Sequence, residues 1–548
     1  MKRLALAAVA TLLLAACTTT KPTVKNDMLD LKIVNGRILD GTGAPWFRGD
    51  VGIRGNTIVA IGNLRETDAK TVIDAKDRIV APGFIDLLGQ SQMSVLVDPN
   101  VEAKVRQGVT TEVTGEGHSP GPVTGPPTKE RPWQTLGDYL DLLDRRGTAI
   151  NFALFVGSSN PRAIVIGDGD RQPSGDEMRQ MEAIVDQAMR DGAIGLSSSL
   201  IYVPAMYSTT EELVNLARVA AKHGGVYFTH MRDEGDRIDM GLDEAFRIGR
   251  EANIPVNIWH LKLGGRPNWG RMPHVIERIE EARRNGIDVA ANVYPYPASG
   301  TSLSTLAPDW AMNGGYDDFR ERLKKPEDRA RIIDALRAQV ARRGEKGIFV
   351  ARIGNPAQAQ YAKKFIEEIA RDMNVAPEQA LVKLFEENES SPFVIYFSMH
   401  EDDVQYALKQ PFVSVGADSG APTPSTIASN SYVHPRAYGT FARVLGHYVR
   451  DVKLFTLEEA VRKLTSQAAL RAGFTDRGVI REGMKADVVV FDPANVRDLS
   501  RFEDPHHYSE GVSDVVVNGV PVLRDGKMTG ALPGKTIRGR GYRASGER

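Results

Sequence analysis

Cysteine is almost missing from this chain: Cys17 is the only one in 548 residues, so no disulfide can be closed within it. An excess of either charge is missing too. Lys and Arg number 69 against 70 Asp and Glu, a formal net charge of −1, and so balanced a chain lacks the concentrated cationic surface that a phosphate backbone requires. Nucleic acid is therefore excluded as the expected partner, which leaves a small molecule. Hydrophobic residues at 42% and charged residues at 25% describe an ordinary globular protein, neither disordered nor polytopic in a membrane. The length exceeds what one core usually fills, and an α/β barrel with an appended sheet is the common exception.

The single apolar run stands at the N-terminus. Lys2 and Arg3 precede Leu4 to Leu14, and the small residues Ala15 and Ala16 lead to Cys17. The run is short for a transmembrane helix and has the layout of a signal peptide. Leu14-Ala15-Ala16-Cys17 resembles the bacterial lipobox, in which the cysteine becomes the lipidated first residue. Residues 1–17 are thus expected to be a lipoprotein signal and residues 18–30 a polar tether. The expected location is the cell envelope, periplasm-facing or on the outer membrane. Membrane contact would come only through acyl chains, each buried methylene contributing about 0.8 kcal/mol.

From Leu31 the pattern is short strands with tight turns, LKIVNGRILDG and DVGIRGNTIVAIG, whose Asn-Gly and Gly-Asn pairs are hairpin signals. The same texture returns in ADVVVFDP and SDVVVNGVPVLRDGKMTG. Residues 31–78 and 478–548 are therefore expected to form one discontinuous β-sandwich. Between them β-rich runs alternate with helical patterns, the signature of parallel strands joined by crossover helices. Eight strands are expected, in runs that begin at Arg78, Val109, Asn151, Ala193, Val226, Val256, Asp288 and Phe412. The fold class is α/β, a (β/α)8 TIM barrel over residues 79–477. About a hundred residues, 303–410, separate the last two strands, far beyond a usual barrel loop. Segments such as PEDRARIIDALRAQVARRG make this insertion look largely helical, a lid or substrate wall at the catalytic end.

Barrel enzymes carry their reactive groups at the C-terminal ends of strands. Here strand two ends in Glu116, strand five in His230, strand six in His260 and strand eight in Asp418. Two imidazoles and a carboxylate, with a fourth position left for water, are what a catalytic Zn²⁺ requires. A metal so held acidifies its bound water, and a carboxylate at the same rim, as Asp418 is expected to be, can take up a proton. Lys262 and Arg436 are candidates to pair with a substrate carboxylate, and Tyr294 to donate to the developing oxyanion. His434 and His400 are left without a role.

The segments DGTGAPWFRGDVGIRG, APGFID, KVRQGVTTEVTGEG, THMRDEG, HLKLGGRPNWGR, VYPY, GADSG, HPRAYGTFARVLGHY and GMKADVVVFDP together resemble the D-aminoacylase (N-acyl-D-amino-acid deacylase) branch of the amidohydrolase superfamily. The resemblance runs from Leu31 nearly to the C-terminus. It implies that His230 and His260 hold the tightly bound metal and that Asp418 shuttles the proton. The expected enzyme is a hydrolase of C–N bonds other than peptide bonds, acting on N-acyl-D-amino acids or dipeptides with a D-residue. Two departures bear on the metal. The family's FIDxHxH segment reads FIDLLGQSQ, with Leu88 and Gln90 at the histidine positions, so the second metal site is expected to be absent. The cysteine that follows strand two in D-aminoacylases is also lacking; Glu116 is its natural replacement, with His118 a competing ligand. AIGLSSS offers no lysine to bridge two ions. One metal on Glu116, His230 and His260 is expected. Two alternatives stand beside this: another amidase, lactamase or dipeptidase on the same scaffold, or a lipoprotein that binds a ligand without turnover.

Overall fold

The protein is described here by a computed structural model covering residues 28–344 and 346–544; Cys17 and the lipobox lie outside the described residues. Eight parallel strands build the barrel: β1 (Phe84–Asp86), β2 (Val109–Thr114), β3 (Asn151–Leu154, continued by Val156–Gly157), β4 (Gly195–Ser199), β5 (Val226–His230), β6 (Val256–Ile258), β7 (Val289–Val293) and β8 (Val413–Val415). The barrel closes between β8 and β1. There the Asp418 amide donates to the Leu88 carbonyl at 2.7 Å and the Ala417 amide to Asp86 Oδ1 at 2.8 Å. The run that begins at Arg78 divides in two. Ile79–Pro82 belongs to the outer sheet, and β1 starts only after Gly83, which sits against Thr110 with no room for a Cβ.

Crossover helices form where the apolar spacing is 3.6 and the ends are capped. Helix α1 (Gly175–Asp191) opens on a Ser174/Glu177 capping box and stops at left-handed Gly192. Helix α2 (Ile238–Ala252) stops at left-handed Asn253. Their buried faces, Met181, Val185 and Met189 on one and Leu242, Ala245 and Ile248 on the other, share a core with Leu154, Leu196, Tyr227 and Ile258 of the strands. Each such side chain contributes about 1.5–3 kcal/mol when buried. Inside the barrel, Phe155, Phe228 and Trp259 pack with ring centroids 4.8–5.5 Å apart and form a fully buried floor. Phe228 lies two residues before His230, so both project from the same face of β5.

The two chain ends lie in one nine-stranded sheet, joined through Ile79–Pro82, that includes Leu29–Ile38, Phe47–Arg54, Val488–Phe491 and Val512–Val517 around a shared apolar cluster. Two boundaries are corrected. Residues 534–543 leave that sheet and strap the N-terminal end of the barrel. Gly534 donates to Thr148 O, Ile537 to Phe152 O and Gly539 to Gly192 O, while Arg538 pairs with Asp141 at 2.7 Å. The insertion is largely helical, as expected, and it also carries a small sheet. Ser299–Ser302, Ile348–Arg352, Lys364–Phe365 and Phe393–Tyr396 make a four-stranded antiparallel sheet backed by helix α3 (Pro326–Arg343) and others, with a separate core that includes Leu336, Ile369, Leu381 and Phe385. These strands are two to five residues long, too short to show a period of two in the sequence. The expected insertion ran to residue 410, but helix α4 (Glu401–Lys409) belongs to the barrel, packed on Met272–Arg284 and β8.

Candidate metal centre

Glu116, His230 and His260 converge above the aromatic floor, with one ligand atom of each lying within 4.8 Å of the others. Glu116 Oε1 is 3.0 Å from His230 Nδ1 and 3.0 Å from His260 Nε2. Around a tetrahedral ion with bonds of about 2.0–2.1 Å the ligand atoms stand roughly 3.3 Å apart, so the two distances from Glu116 are within a few tenths of an ångström of that geometry. The backbone is bent to achieve this. His260 has a φ of 35° and Asp418 of 50°, both left-handed. A left-handed residue costs on the order of 1–2 kcal/mol. The Asn292 side chain holds the His260 amide at 2.7 Å. After Glu116 the chain turns through Gly117, where φ is +62° and a Cβ would meet Ser199 at 2.5 Å.

A second carboxylate stands behind the imidazoles. Glu234 Oε1 is 2.9 Å from His260 Nδ1 and 2.6 Å from Lys262 Nζ, and Glu234 Oε2 is 3.4 Å from His230 Nε2. Burial opposes charge on Glu116, yet hydrogen bonds from His230 and His260 hold its carboxyl well below the usual range. Burial also opposes charge on Glu234, and the His230, Lys262 and His260 charges overcome it. Burial and Lys262 work against a proton on His260, but Glu234 and Glu116 raise it to about 9. The pocket therefore calls for positive charge where the three ligands meet. Two nitrogens and an oxygen so placed fit a divalent ion of the zinc type. A carboxylate behind a ligating imidazole is the usual device for fixing its ring orientation.

His118 is exposed and lies outside the cluster, to which Glu116 belongs. Leu88 is wholly buried. Gln90 takes a different place from a ligand: its Nε2 donates to Glu116 Oε2 at 3.0 Å and to Asp418 Oδ1 at 2.9 Å, bridging the triad to Asp418. Asp418 is 8% exposed, and burial raises its pKa against the pull of Arg436 and His260.

Three expected substrate contacts are revised. Arg436 does not face the cavity; it is buried, its Nη1 lies 2.8 Å from Asp418 Oδ2, and its Nη2 donates to Gly300 O at 3.2 Å. Its sequence position past β8 could not show that Asp418 would be the nearer anion. Tyr294 lies beneath Arg436, ring to guanidinium at 4.6 Å, with its hydroxyl directed to Met399 Sδ rather than into the cavity. Lys262 does line the cavity, but Glu234 already neutralises it. His434 is buried, bonded to Ala298 O and the Arg436 amide, and His400 caps α4. Sequence reasoning missed Glu234 and the bridging role of Gln90. Glu234 had a signal, an acid four residues beyond a strand-end histidine.

The triad, Gln90, Asp418 and Lys262 open on a cavity of about 750 Å³, of a size that suits a small ligand. The insertion supplies part of its wall through Ser302, Thr305, Gln339, Arg343 and Tyr396. A (β/α)8 barrel with these groups at its strand ends is the architecture of a metal-dependent amidohydrolase. Residues 430–523 match the model of the Amidohydrolase family. The chain is 37% identical over 521 residues to the D-aminoacylase of Alcaligenes xylosoxydans xylosoxydans, covering 93% of this chain and 97% of that protein. It is 35% identical to the N-acyl-D-glutamate deacylase of the same organism, covering 93% and 97%. It also superposes on the N-acyl-D-glutamate deacylase of Bordetella bronchiseptica complexed with zinc and a phosphonate inhibitor, at a TM-score of 0.79, 32% identity and coverage of 93% and 100%. The chain belongs to the D-aminoacylase and N-acyl-D-amino-acid deacylase family.

Proposed function

We propose that this protein hydrolyses the amide C–N bond of N-acyl-D-amino acids or of dipeptides containing a D-residue, using one divalent ion, zinc by ligand chemistry, on Glu116, His230 and His260. The observation that carries this reading is that the triad and Asp418 are joined through Gln90 on the wall of one cavity. A bound ion of this kind supplies Lewis-acid chemistry, acidified water and a polarised carbonyl. Asp418 takes the proton of the attacking water at its carboxylate and delivers it to the departing nitrogen, which then leaves as a neutral amine. Arg436 and Gln90 fix the two Asp418 oxygens, one each, for that transfer. Glu234 orients both imidazoles. Leu88, which has no donor atom, and Gln90, whose amide is engaged with two carboxylates, support a single ion per chain.

The D-configuration rests on the names of the relatives. Paired N-acetyl-D- and N-acetyl-L-amino acids, and the corresponding dipeptides, test it with metal-loaded protein. Release of amine from the D members is expected. No turnover of either series overturns the deacylase reading, and preference for L overturns its stereochemical part.

The lipobox Leu14-Ala15-Ala16-Cys17 supports a further part of the proposal, a lipoprotein anchored in the cell envelope through Cys17. That location would bring the barrel close to peptidoglycan, a source of D-residues.

A further inference from the structure

Among the described residues, Arg232, Arg237, Arg342, Lys262 and Arg343 are the lysines and arginines lining the catalytic cavity, and four of them have a carboxylate beside them. Arg232 is met by Glu244 at 3.0 Å, Arg237 by Asp233 at 3.3 Å, Arg342 by Asp236 at 2.8 Å and Lys262 by Glu234 at 2.6 Å. Arg343 is the exception, with no described carboxylate within 4.0 Å.

Arg343 closes helix α3 at the insertion wall. Its guanidinium lies 4.5 Å from the centroid of the Tyr396 ring, its Nη1 donates to the Gln339 side chain, and its Nε is buried without a partner. Burial weakens its hold on its proton, with the Tyr396 phenol working the other way. A guanidinium stays charged in a protein all the same, and leaving one buried without an anion is costly. Its planar fork suits a carboxylate, which it can bind through two parallel hydrogen bonds. Hydroxyls of Thr305 and Tyr396, 3.0 Å apart, line the same wall.

The position of Arg343 says which carboxylate this is. In an N-acyl amino acid the α-carboxyl carbon is two bonds from the scissile nitrogen, so the α-carboxylate must bind beside Asp418 and the triad. Arg343 contacts neither Asp418 nor any triad residue; its neighbours are Gln339 and Tyr396. Its neighbours are insertion residues, so an anion it receives is one that the substrate extends to the insertion wall.

We infer that Arg343 is a specificity residue that receives a second carboxylate of the substrate, carried by the side chain of the D-residue or by the far end of the acyl group. This rests on the deacylase reading above.

The test compares matched substrates that differ by one carboxylate, using metal-loaded full-length protein. One arm sets N-acetyl-D-glutamate against N-acetyl-D-glutamine, and the other sets N-glutaryl-D-leucine against N-pentanoyl-D-leucine. Wild-type protein should favour the charged member of at least one pair by ten-fold or more in kcat/KM, and the arm that responds identifies the source of the carboxylate. Arg343→Met should collapse that ratio toward one, and Arg343→Lys should restore part of it. A ratio measured on one preparation is independent of how much of the variant is correctly folded, so partial misfolding cannot imitate the result. Turnover of both members without preference, or a ratio unchanged in Arg343→Met, overturns this inference and leaves the deacylase reading standing. Absence of turnover on every substrate overturns both.

Discussion

Replacing Arg436 by methionine separates two roles that its sequence position could not tell apart. If Arg436 gripped the substrate, its loss would raise KM and leave the pH dependence of kcat unmoved. The structure instead pairs it with Asp418 at 2.8 Å, in a place where Asp418 is 8% exposed and has the Gln90 amide as its other side-chain partner. Removing one member of a buried ion pair costs about 3–5 kcal/mol, because the remaining charge is left uncompensated. Protonation relieves that cost. A loss of about 2 kcal/mol of support for the ionised form alone raises the pKa by roughly 1.5 units, at 1.36 kcal/mol per unit. The sign follows from the present balance: burial already pushes Asp418 up and Arg436 holds it down, so removing Arg436 lets it rise further. Asp418 works as a base only when ionised. The acid limb of the kcat profile should therefore move to higher pH by about 1–2 units, with activity at pH 6 falling far more than at pH 8. Steady-state kinetics across pH 5–9 measure this, with thermal melts to show that the variant is folded. An acid limb that stays in place while KM alone rises would refute the positioning role.

The other predictions concern the metal, the shuttle and the anchor. Elemental analysis of purified protein should return about one tightly held divalent ion per chain, because Leu88 and Gln90 supply no second set of ligands; two tightly held ions would reject this. Asp418→Asn should retain the ion and lose at least ~10²-fold in kcat, and a wild-type rate would place the proton shuttle elsewhere. His230→Ala and His260→Ala should lose ion and activity together, measured on the same samples, since both belong to the triad. Cys17→Ser should leave the membrane fraction while keeping amide hydrolysis, and persistence in membranes would remove the lipobox reading.

Much of the scaffold was legible because barrel strands and their helices announce themselves locally. Runs such as VYFTH and VTTEVT are buried on both faces, and α1 carries its capping box and terminal glycine in the sequence. Reading the strand ends pointed to Glu116, His230, His260 and Asp418, of which His230 ends β5 and the others lie just past β2, β6 and β8, because a barrel brings those ends together at one rim. The small sheet within the helical insertion was missed because its strands are short and pair across long separations, with Ser299–Ser302 meeting Phe393–Tyr396. The C-terminal strap was misassigned because its hydrogen bonds are isolated ones, to barrel loops and to Phe152 of β3, which leave no periodic trace.

By itself, then, the sequence determined which groups are available: two histidines and two carboxylates at strand ends, no histidine pair after β1, and no cysteine near the site. Periodicity and capping are short-range properties, so they survive in the linear chain. Tertiary structure decided which charge neutralises which. Arg436 went to Asp418 instead of the cavity, Lys262 to Glu234, and Gln90 to two carboxylates at once, while Arg343 was left with no described carboxylate beside it. Such pairings join residues as many as 328 positions apart, and their strength depends on separation and burial, quantities that exist only once the barrel has closed.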